Sequence, residues 1–141
     1  MSVPSHVLIV DDDANVLFVL RAALQRLLQG DQIVGVKSGR EALNEARSEP
    51  FDLLVTDLHM PGMNGIELTE AIKELHPDTI VIWITGFGAH RATEEQERLG
   101  VQLCLDKPLE IKEIRSAVRD VLADSEPALA GAREPARAAV D

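Results

Sequence analysis

Short apolar runs rich in β-branched residues alternate along this chain with longer stretches whose apolar residues recur at helical spacing. Five such rounds predict five βα units, hence a doubly wound α/β domain with one parallel sheet and five flanking helices. The first run, His6 to Val10, leads into a helix from about Ala14 to Gln29. Leu17, Leu20, Leu24, Leu27 and Leu28 form its apolar face, Asp13 is its expected N-cap, and Gly30 ends it. The second run, Gln32 to Val36, precedes Ser38, the expected N-cap of a helix to about Glu49, with Glu41 placed as the capping-box acid and Pro50 beyond. The third run, Phe51 to Thr56, delivers Asp57 into a loop of Leu58, His59, Met60, Pro61 and Gly62. A helix from Gly65 to His76 follows, expected to bury Ile66, Ala71, Ile72 and Leu75.

The fourth run, Ile80 to Thr85, passes through Gly86, Phe87 and Gly88 into a mostly charged helix over about Arg91 to Leu99. The fifth, Val101 to Leu105, is followed by Lys107 and Pro108, then by a helix from Glu110 to Ala123 striped with Ile111, Ile114, Val118, Val121 and Leu122. Asp124 to Asp141 is rich in Ala, Pro and charge, a composition that predicts a disordered tail or linker. The chain therefore reads as one domain over residues 5–123 with a tail over 124–141.

Composition narrows the functions open to such a domain. No apolar stretch approaches a membrane span and no signal core opens the chain, so a soluble, cytoplasmic protein without membrane contact is expected. The single cysteine, Cys104, has no partner for an internal disulfide and cannot form a cysteine metal cluster. Net charge of -10 lacks the clustered Lys and Arg that a duplex-binding face needs, so no direct nucleic-acid contact is expected.

The chemistry gathers at strand ends. In a parallel sheet all carboxyl ends open on one edge, where ligands bind in open α/β folds. That edge would bring together Asp11 and Asp12 after the first strand, Asp57 after the third, Thr85 after the fourth and Lys107 after the fifth. Two ionised carboxylates about 4 Å apart repel by roughly 4 kcal/mol at an effective dielectric near 20, so three together call for a cation. Mg²⁺ suits them, because it takes oxygen ligands and bridges carboxylate to phosphate. Singly, each residue has an ordinary role: Asp11 to Asp13 as helix caps, Asp57 as a turn acid, Thr85 as a strand-end hydroxyl, Lys107 as a surface charge. The four histidines, His6, His59, His76 and His90, lack ligand-like spacing.

The acid pair, the run Asp57, Leu58, His59, Met60, Pro61, Gly62, Met63, Asn64, Gly65, the Thr85-Gly86 step and Lys107-Pro108 together resemble a two-component response-regulator receiver domain, over about residues 5–123. The resemblance implies a CheY-like sheet of order 2-1-3-4-5 and a signalling switch rather than an enzyme acting on a separate substrate. It implies that Asp57 accepts a phosphoryl group from a sensor histidine kinase or phosphotransfer protein. It further implies Mg²⁺ held by Asp12, Asp57 and the carbonyl of His59, with Asp11 acting mainly through water. Lys107 and Thr85 would contact the phosphoryl oxygens, and Lys107-Pro108 would be cis. Phosphorylation would shift a surface of the fourth helix, fifth strand and fifth helix toward a downstream output protein or a second copy, with no output domain in this chain. Two rival readings are a receiver-like binding module that is never phosphorylated, and a haloacid-dehalogenase-like phosphatase with Asp11 as nucleophile and Asp13 as its partner. The second lacks the Thr or Val that such a motif carries next.

Two departures matter. Where many receivers place a Tyr or Phe on the fifth strand, this chain has Cys104, and Trp83 or Phe87 is expected to fill that space and couple Thr85 to the output surface. His59 and Phe87 stand where the family borders the path of the hydrolytic water, so Phe87 is expected to lengthen the life of the aspartyl phosphate.

Overall fold

The computed structural model describes residues 6–28, 32–86 and 93–132. Its strands are β1 (Val7–Val10), β2 (Ile33–Val36), β3 (Leu53–Asp57), β4 (Ile80–Thr85) and β5 (Leu103–Asp106), and its helices are α1 (Ala14–Leu28), α2 (Gly39–Ser48), α3 (Gly65–Leu75), α4 (Thr93–Leu99) and α5 (Ile111–Ala132). All strand pairs are parallel, in the order β2-β1-β3-β4-β5. The expected architecture and order are both present. Because β1 lies between β2 and β3, the chain reverses its direction of winding there, and a crevice opens at the carboxyl ends of β1 and β3.

Alternation along the strands divides the interior into two cores. Val7, Ile9, Leu53, Val55, Ile80, Ile82 and Ile84 pack against Leu20, Leu24 and Leu28 of α1 and Ile114, Val118 and Leu122 of α5. Leu8, Val10, Leu54, Val81 and Trp83 face the opposite side, against Ala42 and Ala46 of α2 and Leu68 and Ile72 of α3. With both faces covered, β1, β3 and β4 are buried along their whole length.

The amino-terminal edge of the sheet is densely stitched. Asp52 N and Leu53 N both donate to the carbonyl of His6, His6 N donates to the Asp52 carboxylate, and Ile80 N donates to the Asp52 carbonyl. The His6 ring stacks on Phe51, with Nδ1 2.8 Å from the Pro50 carbonyl and Nε2 3.3 Å from a Glu49 carboxylate oxygen. Thr79 Oγ1 donates to the Phe51 carbonyl, and His76 Nε2 lies 3.0 Å from the carbonyl of Ala46.

Several local expectations change. Ser38 caps α2, but Glu41 returns its carboxylate to the N–H of Lys37 rather than to Ser38, so the box is closed one residue early. A complete capping box forms instead at α3, between Asn64 and Glu67. The buried stripe of α3 is Leu68, Thr69 and Ile72, while Leu75 is 42% exposed, because Thr69 turns inward to meet Trp83. Ile111, at the first residue of α5, is likewise exposed. β5 runs two residues later than expected at its start and includes Asp106. α5 continues past Ala123 to Ala132, so the backbone is helical where the tail was expected to be disordered. Ala128, Ala130 and Ala132 favour the helix, and Pro127 removes one backbone donor without ending it. Gly30, Phe87, His90, Arg91 and the chain beyond Ala132 lie outside the described residues.

Candidate functional site

Of the expected site residues, Asp12, Asp57, His59 and Lys107 line an open cleft of about 620 Å³ at the carboxyl edge, with Asp13, Ala14 and Gly86, while Asp11 and Thr85 are wholly buried and do not line it. Asp11 follows β1 directly and is wholly buried, and its Oδ1 accepts the N–H of Asp13. Asp13 then caps α1, accepting the N–H of Asn15 on its side chain and that of Leu17 on its carbonyl. This turn leaves Asp12 exposed toward the cleft.

Asp57, the last residue of β3, is 3% exposed. Its Oδ1 accepts the N–H of His59, whose residue sits exposed on the rim. What holds the β3–α3 loop so close is Gly65: a Cβ there would lie 2.3 Å from the Asp57 carbonyl, and Gly65 N donates to the carbonyl of Leu58. Only a residue without a side chain lets α3 start against the backbone of Asp57.

Lys107 reaches in from the end of β5. Its Nζ lies 3.3 Å from Asp11 Oδ2 and 3.4 Å from Asp57 Oδ2, and its N–H donates to the carbonyl of Thr85. Lys107-Pro108 is cis. Burial disfavours the ammonium, but Asp11 and Asp57 together outweigh it and hold the Lys107 pKa above its ordinary value. Asp11 moves the opposite way for a carboxylate: burial and the charge of Asp57 raise its pKa, against the Asp13 N–H and Lys107.

One lysine does not satisfy three acids. Oxygens of Asp11, Asp12 and Asp57 all lie within 4.8 Å of one another, and the buried Asp11 Oδ2 has the Lys107 ammonium, at 3.3 Å, as its ion-pair partner. Three carboxylates that share a single ammonium fit a hard divalent cation.

Thr85 is fully buried at the end of β4, in register with Asp106, and Gly86 after it lines the cleft. Asp13, Ala14 and Gly86 were not among the expected site residues; they line the cleft because they flank residues that were. Cys104 is half-buried, with its thiol pKa pushed up by burial and then by Asp106. It pairs in register with Trp83, which is fully buried beside it.

Fold and cleft define a flavodoxin-like protein with an acidic, lysine-bearing site at its carboxyl edge. The Response regulator receiver domain model matches residues 7–119, so the chain belongs to the response-regulator receiver family. Sporulation initiation phosphotransferase F of Bacillus subtilis is 33% identical over 116 residues, covering 82% of this chain and 92% of that protein. Transcriptional regulatory protein GlrR of Escherichia coli is 34% identical over 125 residues, 89% of this chain, but the chain spans only 28% of its length. Among solved structures, chemotaxis response regulator CheY4 of Vibrio cholerae superposes with a TM-score of 0.75 at 26% identity, covering 84% of this chain and 99% of that one. A CheY-like receiver from Methanospirillum hungatei gives 0.78 at 25%, covering 87% and 97%. Family membership removes the haloacid-dehalogenase-like reading. Among the described residues no helix is long and apolar enough to cross a membrane.

Proposed function

We propose that this chain is a phosphorylation-dependent switch of a cytoplasmic two-component system, in which Asp57 accepts a phosphoryl group from the phosphohistidine of a sensor kinase or phosphotransfer protein. The observation that carries this reading is the Asp57 carboxylate, almost wholly buried beside the ammonium of Lys107 and open only to the acidic cleft.

In the transfer, an oxygen of Asp57 attacks phosphorus while the P–N bond to the donor histidine breaks. The bonding pair stays on the imidazole nitrogen, which takes up a proton. Such transfers depend on alignment and charge stabilisation more than on covalent assistance. Asp12, Asp57 and the His59 carbonyl would hold Mg²⁺, with Asp11 acting mainly through water. When bound, this ion neutralises charge on the phosphoryl oxygens. Lys107 supplies a further cation to those oxygens and Thr85 a hydroxyl donor. Hydrolysis of the aspartyl phosphate in the same cleft resets the switch.

The donor also needs a foothold. Phe18 is 73% exposed on α1, one turn along the same face from Ala14 at the cleft wall, and offers an apolar anchor at the mouth of the site. Output follows from a population shift in the surface of α4, β5 and α5 toward a downstream protein or a second copy. With a net charge of -10, direct contact with nucleic acid is not part of the reading.

The test is intact-mass spectrometry after incubation with acetyl phosphate and Mg²⁺. A Mg²⁺-dependent gain of one phosphoryl group, absent in Asp57→Asn, is expected. Labelling that survives the substitution would place the nucleophile elsewhere, and a chain that stays unlabelled with acetyl phosphate and with a phosphorylated protein donor would leave a binding module.

A further inference from the structure

Behind the cleft, a buried chain of hydrogen bonds joins β4 to the start of α3. The only tryptophan, Trp83, is fully buried, and its Nε1 donates to Thr69 Oγ1 at 2.9 Å. Thr69, also fully buried, donates its own hydroxyl to the carbonyl of Gly65 at 2.7 Å. Gly65 is the residue that lies against the carbonyl of Asp57. From Trp83 the strand runs two residues to Thr85, and Leu58 N donates to the carbonyl of Ile84 between them. The path therefore closes on itself: Asp57, Gly65, Thr69, Trp83, Ile84, Leu58.

The bond within this ring that joins two elements through side chains alone is that between Trp83 and Thr69. A threonine facing an apolar core would ordinarily spend its hydroxyl on its own helix, and Thr69 does so toward Gly65. That leaves its oxygen lone pairs turned outward, and an indole, which can only donate, fits them. Both groups are withdrawn from water, so water does not replace this bond when it is lost. The neighbouring tie of α3, from Glu70 to Arg98 of α4 at 2.7 Å, is exposed and screened. The buried bond is thus the firmer of these two ties of α3, and it joins the helix that closes on Asp57 to the strand that ends in Thr85.

We infer that Thr69 and Trp83 are positioning residues of the Asp57 site, their hydrogen bond fixing the end of β4 against the backbone of Asp57. This rests on the functional reading above. Misplacement of reacting groups by a fraction of an ångström is enough to slow a transfer that depends on alignment.

A cycle of four proteins tests it: wild type, Thr69→Val, Trp83→Phe and the double variant, each checked for folding by circular dichroism and then labelled with acetyl phosphate and Mg²⁺ under initial-rate conditions. Each single substitution is expected to slow labelling about tenfold. Because both remove the same bond, the double variant should be no slower than the slower single. Thr69→Ser, which keeps the hydroxyl, should label within about twofold of wild type. Rates that fall multiplicatively in the double variant, or that stay at the wild-type value in Thr69→Val, would overturn the inference while leaving Asp57 as acceptor. Failure of the wild type itself to label would overturn the functional reading and this inference together.

Discussion

Asp11 carries the clearest conflict between stability and chemistry. Its carboxylate is wholly buried, which raises its pKa, and Asp57 raises it further against the pull of Lys107 and the Asp13 N–H. A carboxyl whose folded pKa exceeds its unfolded value adds stability at pH below the ordinary aspartate range and loses it as pH rises through the folded value. Metal-free protein at neutral pH therefore holds Asp11 at a cost. Asp11→Asn is expected to raise stability in chelator at pH 7, measured by urea unfolding, with the gain vanishing toward pH 3. The same substitution should weaken Mg²⁺ binding in a titration followed by Trp83 fluorescence. Phe18 separates two kinds of donor. Phe18→Ala should slow transfer from a phosphorylated protein donor by roughly tenfold. Labelling by acetyl phosphate, which is too small to use the ring, should stay the same; equal slowing with both donors would remove Phe18 as an anchor.

At the scale of elements, what the sequence disclosed followed the strength of the local signal. Asp11, Asp12, Asp57, Thr85 and Lys107 were legible because each closes an apolar run, and a parallel sheet sends every such end to one edge. The inward turn of Thr69 was not, since a hydroxyl in a helical stripe shows no partner until Trp83 arrives from another unit. The capping box at Asn64 and Glu67 was hidden in a loop read for its prolines and glycines, although the spacing was present. The end of α5 was missed because alanine and glutamate serve a helix as readily as a solvated tail. Gly65 illustrates a residue whose type was visible but whose reason was not. Gly65→Ala is expected to cost about 2 to 4 kcal/mol, as the methyl group forces α3 away from the Asp57 carbonyl. Chemical denaturation would measure the loss, and labelling of the remaining folded protein should be slowed as well. A substitution that left both unchanged would show that α3 can shift freely.

For the whole molecule, the sheet's two edges are built to different standards. His6, Asp52, Phe51, Thr79 and Ile80 join strands and loops at the amino-terminal edge through a mesh of hydrogen bonds. The opposite edge also closes through backbone hydrogen bonds, but it opens into a cleft walled by Asp12, Asp57 and Lys107, where like charges oppose one another. Hydrogen exchange should report this as a gradient. The amides of Leu53 and Ile80 are expected to exchange only through global unfolding, while those of Leu58 and Gly65 open locally and slow when Mg²⁺ is added. Uniform protection along β3 would contradict it. The molecule is in this sense a cantilever, anchored at its foot by the His6 mesh. On the proposed reading, a small displacement at the loaded tip would pass sideways to the helices without loosening the anchorage that keeps the domain folded.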